Sequence, residues 1–354
     1  MKALLVFLLF SYMTAVNAEN TLGLPPVTFP KNNPQSPEKI ALGEKLFNDI
    51  RFSTTQNISC ASCHVSHLAF TDGKSLATGI NGLTGMRNSP TLINSAFLTS
   101  YFHDGRRPSL ESQSKDPLTN PIEHGLGHHS EVLKVILADH SYIASFLSVF
   151  GINAKNINLD HVAMAIASYE RTLISGNSRF DKYHFDRQKT ALSFSEARGL
   201  RIFRRKANCA NCHEISWDNA LFTDNRFYNI GIGFDELRIT LPSFLIQAKA
   251  NVSEAIHNLN TVQKEQLGRF IVTHKPKDIG AYKTPTLRNI SLTAPYMHDG
   301  SLKTLRDVVE YYDKGGKPNA YLNPAIFPLH LTAQEKEDLI AFLGTLTGYL
   351  PDSH

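Results

Sequence analysis

Cysteine is scarce. The 354-residue chain has four, too few for a dense disulfide framework, so apolar cores must hold it together. Tryptophan occurs once, at Trp217. Charge of one sign is missing as well: 36 basic and 32 acidic residues leave +4, which supplies no footprint for nucleic acid or an anionic membrane surface. After Glu19 no apolar run approaches the length that crosses a bilayer, so stable membrane insertion is not expected. Runs of alternating strand pattern are absent too, which argues against an all-β or doubly wound architecture.

The beginning of the chain differs in kind. Lys2 gives a positive start, Ala3 to Phe10 an apolar stretch, and Val16-Asn17-Ala18 small residues where a leader is cut. Residues 1–18 therefore read as a secretory signal, with export to the periplasm as the expectation. A lipoprotein would need a cysteine at the cut, and the first is Cys60. What remains is long enough for two ordinary domains.

In an exported chain four cysteines would ordinarily be two disulfides. Here they spell Cys60-Ala61-Ser62-Cys63-His64 and Cys209-Ala210-Asn211-Cys212-His213, the C-x-x-C-H attachment signature of c-type haem. Two thiols three positions apart each form a thioether to one porphyrin, and the adjacent imidazole supplies the proximal ligand to its iron. A structural zinc site would bring its pairs within a couple of dozen residues, whereas these lie 149 positions apart. A thioredoxin-like pair would sit beside a βαβ pattern, and plain disulfides leave the histidines unexplained. Cys60, Cys63, His64 and Cys209, Cys212, His213 are thus the expected attachment sites of two covalent haem c groups.

Between the motifs the pattern is helical. Ser36 with Pro37 opens a helix through Asn48; Ser130 starts a second whose stripe runs Val132, Val135, Ile136, Ile143, Phe146, Leu147. A third follows Asp160, a fourth begins at Ser195, and Thr332 with Glu335 forms a capping box for a last one. Residues 89–105 (SPTLINSAFLTSYFHDG) align without a gap onto 284–300 (TPTLRNISLTAPYMHDG), with eight of seventeen positions identical. The fold expected is mainly α: two cytochrome c-like haem domains related by an internal repeat, residues 19–188 and 189–354.

In the same register Leu110 matches Leu305 and Pro117 matches Tyr312. Tyr312 shares a helix face with Leu305, Val308 and Val309, where it is either a core aromatic or a side chain within reach of the second iron; periodicity does not choose.

Taken with the segments RNSPT to HDGR, SLESQ, NPIEHG, KTPTLRN and TAPYMHDG, the chain resembles the bacterial di-haem cytochrome c peroxidases and the related MauG-type enzymes over essentially its whole mature length. The resemblance implies His64 and His213 as proximal ligands. It makes Glu123 the distal acid/base residue of the peroxidatic first haem, Gln113 a second distal residue, and Asn88, Thr293 and Pro295 the ligands of a calcium ion, the last two through carbonyls. It also implies three departures. His103 stands where the family's peroxidases carry an inter-haem Trp. Ile80 replaces a loop His that blocks the peroxidatic iron in some members, with His67 left as another loop ligand. Tyr312 stands where typical peroxidases have a Met on the second iron, the MauG-type choice, with Met297 the alternative thioether.

The implied activity is reduction of hydrogen peroxide with electrons from a small periplasmic carrier, cytochrome c or a cupredoxin, entering at the second haem. The alternatives are a MauG-type enzyme that uses peroxide to oxidise residues of a partner protein, and a di-haem carrier without turnover, against which Glu123 argues. A homodimer is compatible with all three.

Overall fold

The computed structural model describes residues 21–351; the leader predicted at 1–18 lies outside them. The scaffold is mainly helical, with one two-stranded antiparallel ribbon, β1 (Phe227–Tyr228) and β2 (Tyr282–Lys283), among the described residues. In the first half, helix Pro37–Asn48 crosses helix Leu159–Glu170; in the second, Phe194–Arg204 crosses Ala333–Gly344. Each crossing needs a glycine. A Cβ on Gly43 would land on the Ala165 carbonyl and one on Gly199 on the Asp338 carbonyl, so the backbones approach closer than any side chain permits. Apolar side chains collect around each crossing, Leu46, Phe47, Val162 and Ile166 in one cluster, Leu200, Phe203, Phe342 and Leu343 in the other.

The repeat is visible bond by bond. Asn94 and Asn289, both left-handed at φ 62 and 59, donate their backbone N–H to Leu173 and Leu346 and accept through Oδ1 from Ser175 and Gly348. Tyr101 and Tyr296 donate their hydroxyls to Ser95 and Ile290. Copied hydrogen bonds at a constant offset are what a duplicated domain produces, and they bear out the two-copy reading of the sequence.

Two details differ from the sequence expectation. The stripe from Ser130 to Leu147 is not one helix: Ser130–Leu137 and His140–Phe150 bend by 102°. Asp139, extended at φ −112 and ψ 106, caps the second with a bond from Ser141 N–H, and a capping carboxylate at that point starts a new helix. No single described helix is long and apolar enough to cross a membrane. The second half also carries an insertion: His213 and His298 are 85 positions apart where His64 and His103 are 39 apart. Short helices between Asp235 and Thr273 fill it and bury a core of their own around Leu237, Phe244, Leu267 and Phe270.

One buried ion pair ties these parts together. Arg288 and Asp181, 1% and 0% exposed, meet at 2.8 Å, and the guanidinium also donates to the Ala220 and Gly23 carbonyls. Replacing Arg288 by Met leaves the Asp181 charge buried and unpaired, so a loss of about 3–5 kcal/mol is expected in denaturant unfolding. Replacing Arg306, in an exposed pair with Glu337, should cost under about 1 kcal/mol, and equal losses would contradict this ranking.

Candidate functional site

Each C-x-x-C-H motif closes a tight turn. Ser59 N–H donates to Ser62 Oγ at 3.0 Å as helical turn Cys60–Cys63 begins, which sets the two thiols on one face, and His64 N–H returns to the Cys60 carbonyl. The second motif uses the tighter turn Cys209–Asn211, with His213 N–H on the Cys209 carbonyl. Both imidazoles are then held alike: His64 Nδ1–H donates to the Phe70 carbonyl at 3.0 Å and His213 Nδ1–H to the Phe222 carbonyl at 2.9 Å. A carbonyl only accepts, so Nδ1 carries the proton and Nε2 keeps a free lone pair, as a metal-ligating His requires. Phe70 and Phe222 present those carbonyls from left-handed backbone, φ 57 and 53, a strained choice for bulky residues. Thr91 and Thr286, from the repeated segment, brace the neighbouring Ala69 and Leu221 carbonyls at 2.6 and 2.7 Å.

None of the four cysteines forms a disulfide. Burial pushes the Cys63 thiol up to about 11 and the Cys209 thiol up to about 12.

The first motif opens into a cavity lined by Cys60, Cys63, His64, Gln113, Glu123 and Glu170 among others. Gln113 ends the short helix Leu110–Gln113, which Ser109 and Ser112 cap reciprocally. Glu123 arrives on a loop: Asn120 Nδ2 donates to its Oε1 at 2.6 Å, and Ile80 N–H donates to the Ile122 and Glu123 carbonyls at 3.0 and 3.2 Å. Burial pushes its carboxyl above the ordinary range, with nearby Arg106 opposing the shift. Glu170 is 4% exposed, and its Oε2 has no hydrogen-bond partner among the described residues. Burial pushes it up to about 8. Paired thiols, a His with Nε2 free and an orphaned carboxyl oxygen around one cavity fit a covalently held porphyrin.

The other predicted residues fall as follows. Tyr312 sits on helix Leu305–Asp313, within electrostatic range of Cys209 and Cys212, and its hydroxyl makes no hydrogen bond among the described residues. Burial pushes that hydroxyl up, so only a cation beside it draws the proton off. His103 donates Nε2–H to the Asn88 carbonyl at 3.0 Å, and burial lowers it to about 4. Asn88 donates Nδ2–H to the Lys74 carbonyl; Thr293 bonds the Ile290 carbonyl, Pro295 follows a cis peptide, and no hydrogen bond joins either to Asn88 among the described residues. Ile80 is buried against the Glu123 loop, His67 is exposed, and Met297 occupies the left-handed corner of its H-D-G turn at φ 75. Trp217 is 89% exposed. Sequence reading missed Glu170, which looks like one more polar position in an amphipathic helix, and the contact of half-buried Arg87 with buried Tyr282 and His298, which only the fold brings together.

Two such motifs in duplicated helical halves define a di-haem protein of the c type. A family model described as di-haem cytochrome c peroxidase matches residues 37–189. The chain is 37% identical to cytochrome-c peroxidase IdrP1 of Pseudomonas sp. strain SCT over 94% of its own length and 86% of that protein's. It is 34% identical to the methylamine utilization protein MauG of Methylorubrum extorquens, over 90% and 81%. A solved MauG-like protein associated with microbial copper homeostasis superimposes with a TM-score of 0.75 at 32% identity, covering 92% of this chain and 94% of that one. The chain belongs to the di-haem cytochrome c peroxidase family, and is a peroxidase-type oxidoreductase that carries haem c.

The Glu170 site has a stability signature. An acid whose value is raised from 4.5 to about 8 stays neutral in the folded chain while the unfolded chain ionises, so it favours folding below pH 4.5 and loses that advantage as pH rises to 8. Relative to Glu170→Gln, the parent should lose about 1.4 kcal/mol per pH unit across that window. Parallel stability profiles of the two proteins would show that Glu170 is ionised when folded.

Proposed function

We propose that this chain is a periplasmic enzyme that reduces hydrogen peroxide to water in the first cavity, with electrons delivered to the second site by a small carrier such as cytochrome c or a cupredoxin. The observation that carries this reading is the meeting of Glu123 and Gln113 with Cys60, Cys63 and His64 around one space. The export signal supports the compartment.

Haem bound there supplies an iron that takes up peroxide and passes on two electrons. Reduction to two waters also needs two protons and an early proton transfer from one peroxide oxygen to the other. Glu123 suits that transfer: Asn120 holds Oε1, which leaves Oε2 to accept the proton from the near oxygen and return it to the departing one. The Gln113 amide, alongside, can donate to peroxide without competing for the proton. Ile80 pins the Glu123 backbone, so the loop acts as a brace for the base. Asn88, with Nδ2 spent on Lys74, keeps Oδ1 for a calcium ion, to which Thr293 and Pro295 would add carbonyls.

A second reading rests on Tyr312. A tyrosine oxygen on the second iron stabilises oxidised states relative to a thioether and lowers the potential, which suits storage of oxidising equivalents and attack on a partner protein. Rapid oxidation of reduced cytochrome c, with no prior half-reduction, supports the first reading; negligible cytochrome turnover with persistent oxidised absorbance supports the second.

Two outcomes are expected for Glu123. Because the base works ionised and burial raises its pKa, the rate constant for peroxide should climb with pH through a value above the ordinary 4.5. Glu123→Gln should abolish that pH dependence and slow the reaction by about 10²–10⁴-fold while both haems remain attached. A variant that reacts as the parent does would remove Glu123 from the chemistry.

A further inference from the structure

The two halves meet on a local twofold axis, and the residues that lie on it are not the ones that sequence comparison singles out. At the repeat offset of 195, Arg87 corresponds to Tyr282, Asn88 to Lys283 and His103 to His298. The contacts between them are reciprocal. Asn88 N–H donates to the His298 carbonyl at 2.9 Å, and Lys283 N–H donates to the His103 carbonyl at 2.8 Å. When residue i of one copy touches j of the other and j touches i in return, a twofold relates the copies. A residue that touches its own counterpart sits on that axis: the Arg87 guanidinium lies 5.0 Å from the centre of the Tyr282 ring and donates to its hydroxyl at 3.3 Å.

Both haem motifs connect to this point. From the first, Cys63 Sγ touches the Thr78 carbonyl, and adjacent Ala77 N–H donates to the Arg87 carbonyl. From the second, Tyr228 reaches Cys212 and pairs with Tyr282 across the β1–β2 ribbon. The Tyr282 ring is buried and stacks on the His298 imidazole, ring centres 3.6 Å apart and planes 17° from parallel. We propose that this stacked Tyr282–His298 pair is the bridge through which electrons pass between the two haem sites, the task that the resemblance gives to a Trp at position 103. The proposal rests on the di-haem reading above.

The surroundings also decide how the pair works. Oxidising a phenol requires a base for its proton, and Tyr282 donates to the Glu265 carbonyl at 2.8 Å and to Gln266 Oε1 at 3.2 Å, neither of which takes a proton. His298 Nε2–H is itself a donor to Gln266 Oε1 at 3.1 Å, and Arg87 places a positive charge against the ring. Loss of an electron from Tyr282 would put a cation against Arg87, and the nearby Glu265 carboxylate is engaged with that guanidinium at 3.0 Å, so no proton acceptor is hydrogen-bonded to the phenol. The electron therefore tunnels: one leaves the second site and one arrives at the first, while Tyr282 keeps its electrons and its proton.

The test is the inter-haem transfer rate, followed by transient absorption after photoreduction of the holoprotein. Tyr282→Phe keeps the ring and should match the parent. Tyr282→Leu should slow transfer by about tenfold or more, the cost of one lost pathway. Transfer in the unaltered protein should show no solvent deuterium isotope effect, and freeze-quenched samples no tyrosyl radical. Parent-like transfer in Tyr282→Leu, a clear isotope effect or a radical on Tyr282 overturns the proposal. The isotope and radical measurements decide it even if the Leu variant fails to fold. A haem count below two in the parent overturns the di-haem reading itself, which keeps the two failures distinct.

Discussion

One hydrogen bond, made twice, organises this protein: the imidazole after each cysteine pair donates Nδ1–H to a phenylalanine carbonyl. The bond fixes the tautomer and ring orientation, so Nε2 is the nitrogen that would ligate a haem iron. Much of the repeated segment holds the acceptor still. Phe70 and Phe222 stay left-handed at a cost of order 1–3 kcal/mol. Thr91 and Thr286 clamp the carbonyl next door, and Asn94 and Asn289 lock the segment to the chain that follows helices Leu159–Glu170 and Ala333–Gly344. Conformational strain at a ligand is supported by copied polar anchors a few residues away.

What separates the halves is a proline. The second half continues from Leu305 into a nine-residue helix that carries Tyr312 toward Cys209 and Cys212. In the first half the matching helix stops at Gln113, and Pro117 sits in a second short turn, Asp116–Thr119. Proline cannot continue a helix without losing a hydrogen bond and meeting the preceding turn. The chain folds back instead, His124 N–H reaching the Pro117 carbonyl, and Glu123 is carried into the cavity. One site gains a buried carboxyl where its twin gains an aromatic hydroxyl, and a symmetric scaffold becomes an ordered pair.

These features were unequally legible in the sequence. The haem motifs, the repeat and the capped helices could be read directly, because thiol spacing, a fixed offset and Ser-Pro or Thr-x-x-Glu patterns are local signals. The insertion between Asp235 and Thr273 was not read, since its helices are too short to develop a stripe and two begin at asparagine caps, Asn251 and Asn260, within polar sequence. Glu123 and Gln113 came from motif resemblance, and the shared cavity gives that resemblance a physical footing. Glu170 had no sequence signal, because its distinction is an unpaired buried oxygen and burial is a property of the fold. The Arg87–Tyr282 contact could have been suspected from the offset alone, as the two are repeat partners, but only the twofold brings partners face to face.

The Arg288 clasp has a kinetic meaning. Its guanidinium holds the Gly23 carbonyl across 265 positions, together with Asp181 and Ala220. A contact of such long sequence separation forms late, because a very large loop must close before it is rewarded. The leading strand of the chain therefore stays undocked until nearly all the rest has been translated and collapsed. Throughout that interval the segment around Gly23 stays accessible, and its docking onto Arg288 marks a late step of folding.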